Sequence, residues 1–139
     1  MQRNIFLPLG VLIFFTLVAG SSCKRDPYII DYKNLKGYVI GKEICNTDES
    51  DDYWLIDFTY GNNNLKVGDT LVLNGITYTN VLKTKGKFLD ERLKIIGLKI
   101  SIDYKTITTE KITTSGCNVQ NPIIYRLKEI TIVNQGEIR

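Results

Sequence analysis

Cysteine, carboxylate, lysine and aromatic side chains make up the reactive inventory of this chain, and histidine is absent from it. Without histidine, neither a Ser-His-Asp nor a Cys-His nucleophile arrangement can be assembled. The commonest zinc ligand is missing for the same reason. The three cysteines are Cys23, Cys45 and Cys117. In an oxidising compartment two of them pair, and an odd third needs another fate.

The carboxylates offer less. Asp48, Ser50 and Asp52 alternate as the first three ligands of a calcium loop do, but Tyr53 stands where the loop needs glycine, and Thr59 where it needs glutamate. The stretch reads better as a solvated acidic turn. No spacing of Asp or Glu marks a catalytic pair. No catalytic, metal or cofactor-binding residue is therefore assigned, and the chain is read as non-enzymatic. Lys83, Lys85, Lys87, Arg92, Lys94 and Lys99 form a basic segment, diluted by Asp90 and Glu91. Lysines of this kind commonly guard sheet edges. Trp54, Phe58, Tyr60, Tyr78, Tyr104 and Tyr125 offer surface for a sugar or peptide. Aromatics at strand periodicity are by default core.

The segment that decides the fate of Cys23 is the one before it. Arg3 supplies a positive start. Ile5 to Gly20 is 16 residues without a charge, interrupted early by Pro8 and Gly10. A spanning helix wants about 20 apolar residues, so the stretch reads as a cleaved export signal. Its end, Gly20-Ser21-Ser22-Cys23, resembles the bacterial lipoprotein signal, in which cleavage falls just before a cysteine that carries the lipid. The resemblance makes Cys23 the lipid attachment and leaves Cys45 and Cys117 to form a disulfide. The alternative is a cut after Gly20 that releases a soluble protein. Lys24 follows Cys23 where an acidic inner-membrane retention residue would stand, which favours the outer membrane.

Removing Arg3 with the leader leaves 17 basic against 15 acidic residues, a net charge of +2. That is no footprint for nucleic acid. The organisation expected is a signal peptide over 1–22, a lipidated cysteine and tether over 23–36, and one β domain over 37–139.

Within the domain, Gly37–Cys45 is expected as a strand, with Tyr38, Ile40, Lys42 and Ile44 on the core face. Tyr53–Tyr60 follows, with Trp54, Ile56, Phe58 and Tyr60 sharing one face. Asn74-Gly75 between apolar runs marks a type I′ hairpin. It pairs Leu73 with Ile76 and Leu71 with Tyr78. Leu89, Leu93 and Ile96 suit a short helix over Phe88–Ile96. Leu98–Lys105 alternates strictly, with Leu98, Ile100, Ile102 and Tyr104 inward. Ile107–Thr114 reads as an edge strand or hairpin arm. The last strand is expected over Ile123–Val133, with a β-bulge near Lys128-Glu129 and a polar tail from Asn134. The fold class is all-β: a small antiparallel barrel of oligonucleotide/oligosaccharide-binding (OB-like) type with one short helix, or alternatively a β-sandwich.

Two further resemblances bear on function. Tyr78 followed by Thr84-Lys85-Gly86 resembles the periplasmic inhibitors of C-type lysozyme, small β-barrel lipoproteins, but without their Ser-Gly-Ser-Gly stretch. As a whole the chain resembles small Bacteroidetes lipoproteins with a β-rich domain. That likeness rests on Ser21-Ser22-Cys23, Gly37-Tyr38-Val39-Ile40-Gly41 with Cys45 behind it, Gly97-Leu98-Lys99-Ile100, Asp103-Tyr104 and Cys117. It implies an envelope location, anchored to the membrane through lipid, and no particular activity. The expected role is a binding or assembly module for an envelope protein or glycan. The alternatives are a periplasmic enzyme inhibitor and a small carboxylate-dependent hydrolase.

Overall fold

A computed structural model describes residues 29–107 and 117–139. The leader, Cys23 and the tether as far as Tyr28 lie outside those residues. So does the expected strand Ile107–Thr114, apart from Ile107.

The described chain forms six strands: β1 (Tyr32–Lys42), β2 (Tyr53–Asp57), β3 (Asp69–Leu73), β4 (Ile76–Lys85), β5 (Lys99–Thr106) and β6 (Glu129–Glu137). They make one mixed sheet in the order β2-β1-β5-β6-β4-β3, and β2 also pairs with β4. The strands β1, β2, β4, β6 and β5 thus return on themselves as a ring. Closure is uneven, since the parallel β4–β6 contact joins only two residue pairs, Lys83 with Glu129 and Thr84 with Ile130. The domain is all-β and barrel-like. Its ring order is that of an OB-type barrel, with β3 added as an extra hairpin strand. One pairing being parallel, the sheet is mixed rather than purely antiparallel.

Strand β1 starts at Tyr32, inside the stretch expected to be tether. Its first half pairs with β5 and its second half with β2. The change of partner needs a bend, and a register shift between Val39 and Gly41 supplies it. Leu35 and Val39 point into the barrel; past the bulged Ile40, Gly41 and Glu43 turn toward a second, outer cluster. The expected core face of Tyr38, Ile40, Lys42 and Ile44 is therefore wrong. The glycines show why: a Cβ on Gly37 would lie 2.7 Å from Ile56 Cγ2, and one on Gly41 would lie 3.2 Å from Leu73 Cδ2. The buried face of β1 is small because its neighbours pack against the backbone.

The barrel interior is filled by Leu35, Val39, Trp54, Ile56, Phe58, Leu82, Ile100, Ile102, Tyr104, Ile130 and their neighbours. The alternation expected for β2 and β5 holds, except that Tyr60 is 70% exposed. The Asn74-Gly75 hairpin forms in the expected register, Leu73 with Ile76 and Leu71 with Tyr78. Beyond it a register shift sets Asp69 opposite Val81. Leu55, Leu71, Val81 and Leu127, with Ile40, Leu73, Tyr78 and Tyr125 against them, form the outer cluster. The hairpin lies over the outside of β1 and β2 as a second layer.

Two expectations for the remaining segments are corrected. Phe88–Ile96 is not a helix but two 3-10 turns, Gly86–Phe88 and Glu91–Leu93. Asp90, extended in backbone, caps the second turn by accepting from Arg92 N. Only six residues then remain before Gly97, too few to repay helix nucleation. Leu89 and Leu93 are still buried, whereas Ile96 is 67% exposed. The last strand begins at Glu129, not Ile123, and runs through the expected polar tail to Glu137. Its irregularity lies at Val133, where Asp103 and Tyr104 face Asn134 and Ile132.

Candidate functional site

Cys45 and Cys117 form a disulfide across 72 residues, with Cα atoms 4.5 Å apart. The bridge joins the end of β1 to the segment that leads into β6. Around it Ile44 and Ile123 exchange backbone hydrogen bonds of 3.0 and 2.7 Å, and Cys45 O accepts from Asn118 N at 2.9 Å. Asp52 is buried and its Oδ1 accepts from the backbone N–H of Cys45 and Asn46. Asp48 Oδ1 accepts from Ser50 N. Two carboxylates of the calcium-like spacing are thus turn caps. Among the described residues no three of His, Cys, Asp and Glu gather as a metal site.

The basic segment is dispersed and largely partnered. Arg92 pairs with Asp90 and Lys94 with Glu91. Lys85 lies over Tyr53, Lys87 over Phe88 and Lys99 over Tyr38. Lys83 is buried, with Nζ 2.9 Å from Glu43 Oε1 in a pair whose side chains are 5% and 1% exposed. Tyr125 completes this latch: its N–H donates to Glu43 Oε1, and its carbonyl accepts from Lys83 Nζ. Burial pushes the Glu43 carboxyl above its ordinary value, against the pull of the Tyr125 N–H and of Lys83. The sequence alone marks this lysine as edge decoration. The missed signal was the β1 bulge, which turns Glu43 toward β4.

The latch takes up part of the backbone of residues 124–128, which are not strand: Tyr125 N and O bond to the Glu43 and Lys83 side chains and Lys128 N to Asp69, while Lys128 O accepts from Lys83 N. It also has a functional consequence. OB-type barrels take ligands on the outer face of the second and third ring strands, here β2 and β4. That face is covered by Leu71, Leu73, Tyr125 and Leu127.

The concave surface lies instead beside the hairpin. Tyr38 stands on the outer side of β1, opposite Asp57 on β2. Tyr78 comes from the hairpin, Tyr60 from the turn after β2, and Ile96-Gly97 from the turn before β5. With Val39 and Ile40 they line a cleft of about 410 Å³. The walls are fixed by specific bonds. Asn62 donates from Nδ2 to Lys36 O and Phe58 O, and its Oδ1 accepts from Lys36 N; this ties the Tyr60 turn to β1. Gly97 N donates to Val39 O, and Val39 N to Leu98 O. Asn80, buried at the β4 irregularity, accepts from Val67 N and Gly68 N and donates to Phe58 O and Leu65 O. Asp57 Oδ1 accepts from Thr59 N and Oγ1.

Of the six aromatics singled out from the sequence, Trp54, Phe58 and Tyr104 are barrel core and Tyr125 packs on the outer cluster. Tyr60 and Tyr78 reach the cleft. Tyr38, Asp57 and Ile96 join them without having been recognised as site residues. Thr84 faces the barrel interior and Gly86 packs on the backbone of Glu49, so Thr84-Lys85-Gly86 forms no projecting loop. Comparison with family profiles, curated proteins and solved structures returned no match.

Proposed function

We propose that this is a binding module of the bacterial cell envelope, held to the outer membrane by lipid on Cys23 and seating its ligand in the cleft beside the hairpin. The cleft carries this reading. Its volume of about 410 Å³ suits a small-molecule or chain-segment site, and its lining is aromatic with one carboxylate. The anchor is supported by the leader sequence and by the pairing of Cys45 with Cys117, which leaves Cys23 as the odd cysteine. A disulfide also suits an exported protein. The likeness to small Bacteroidetes lipoproteins agrees with both points.

The inhibitor and hydrolase readings have thinner support. The inhibitor-like residues Thr84-Lys85-Gly86 are built into β4 and the turn after it. Of the buried carboxylates, Glu43 is committed to Lys83, Asp52 to backbone N–H groups and Asp57 to Thr59, and Asp57 lines the cleft without a second carboxylate beside it.

Two measurements test the proposal. Cells fed labelled palmitate should incorporate it into the wild-type protein and not into Cys23→Ser, and detergent should release the product from membranes. Unlabelled, soluble mature protein would remove the anchor. Separately, retention on isolated envelope fractions should fall for Tyr60→Ala and Tyr78→Ala variants that melt like wild type. Equal retention would show that the cleft is not the seat.

A further inference from the structure

The cleft combines aromatic breadth with a single negative charge. Tyr38, Tyr60 and Tyr78 contribute three phenol rings, Ile40 and Ile96 aliphatic surface, and Asp57 a carboxylate, with no Lys or Arg in the lining. An anionic ligand would meet the Asp57 carboxylate in the lining itself, whereas the nearby cation Lys99 stands over the Tyr38 ring, 5.8 Å from its centre, and outside the lining. A purely aliphatic ligand would desolvate the carboxylate and the phenol hydroxyls without pairing them. A sugar ring answers both surfaces. Its C–H face lies flat on an aromatic ring, and its equatorial hydroxyls reach acceptors at the side.

Asp57 is already placed for that role. Thr59 N and Oγ1 hold its Oδ1 at 3.2 and 2.6 Å. Asp57 is only 3% exposed but lines the cleft; an ionised carboxylate offers about four acceptor positions, and with Thr59 on Oδ1, Oδ2 is the oxygen left for a hydroxyl donor. Tyr60, 70% exposed, is the open platform, and the Asn62 bonds fix the turn that carries it. Tyr78 lines the same cleft from the hairpin side.

We infer that the cleft takes a neutral carbohydrate, with Tyr60 and Tyr78 stacking on sugar faces and Asp57 accepting from sugar hydroxyls. The inference rests on the cleft being a binding site, and it adds the ligand class. Detergent-solubilised full-length protein is titrated calorimetrically with cellohexaose, maltohexaose, xylohexaose and chitohexaose. At least one should bind at a single saturable site. Tyr60→Ala should weaken that binding about five-fold or more, as the loss of one stacking contact, and Asp57→Asn should weaken it while preserving the melting curve. Sugar binding untouched by Tyr60→Ala would overturn the assignment. If no sugar binds but uncharged apolar tetrapeptides bind in a Tyr60-dependent way, the carbohydrate claim falls and the binding module stands. If neither probe shows Tyr60-dependent binding, both fall.

Discussion

Glu43 and Lys83 show how little a residue's type says about its station. A buried ion pair is seldom worth more than apolar packing of the same volume, yet breaking one costs about 3–5 kcal/mol. Glu43→Gln and Lys83→Met should each destabilise by about that amount in urea titrations. The double variant is the sharper test. Paired replacement is often neutral, but here Tyr125 O would lose its Lys83 donor, while the introduced amide oxygen still accepts from Tyr125 N. One orphaned carbonyl costs about 1–3 kcal/mol, so the double variant should stay below wild type by about that much. The pH dependence follows from the direction of the Glu43 shift. Burial raises its folded value above 4.5, so the fold binds the proton more readily than the unfolded chain does. Its contribution is fully present below the ordinary carboxyl value and is lost as pH rises through the folded one. The stability gap between wild type and Glu43→Gln should narrow from pH 4 to pH 8; a widening gap would contradict the burial assignment.

At the scale of elements, local chemistry and tertiary demand agree in some places and part in others. The Asn74-Gly75 turn needs left-handed backbone at both positions, with φ of 51° and 80°. Gly75→Ala should cost about 1–2 kcal/mol, read as a lower urea midpoint at unchanged slope. Asp90 is the second local device. The Arg92 side chain, then the Arg92 N–H, hold its carboxyl down at about 2. That lowered value adds stability above the unfolded 3.8 and loses it as pH falls through about 2. A carboxyl-detected NMR titration should place the Asp90 midpoint there, and Arg92→Ala should move it back toward 3.8. The hairpin turn is legible in the sequence because it depends on neighbours in the chain, as are the faces of β2 and β5; the Asp90 cap is as local, yet the helical spacing of Leu89, Leu93 and Ile96 hides it. The interior face of β1 is not legible. Its alternation is interrupted at Ile40, and the inward Gly37 and, past the bulge, the outward Gly41 look like breaks in a pattern rather than close approaches. The cleft was half visible for the same reason: Tyr60 and Tyr78 carry their chemistry in their type, whereas Tyr38 and Asp57 become neighbours only through the pairing of β1 with β2.

The whole molecule is a ring with one weak joint, and the disulfide lies near it. β1 and β5, β5 and β6, and β2 and β4 are joined by long antiparallel ladders, whereas β4 meets β6 at two residue pairs. The chain entering that joint is held by the Tyr125 latch and by the Cys45–Cys117 bridge to the end of β1. Removing a native disulfide from a small secreted domain costs about 2–5 kcal/mol. Cys45→Ala with Cys117→Ala should lose that much globally and should also loosen one region first. Hydrogen exchange should accelerate most at Lys83 N, which donates to Lys128 O, and at Ile123 N, which donates to Ile44 O. The β1–β5 ladder, sealed by Ile100, Ile102 and Tyr104, should keep the protection set by the global stability. Intact mass before and after alkylation decides whether the bridge is present. Uniform loss of protection would make the ring a single cooperative unit; early opening at Lys83 and Ile123 would establish that the bridge secures the parallel joint through which the barrel closes.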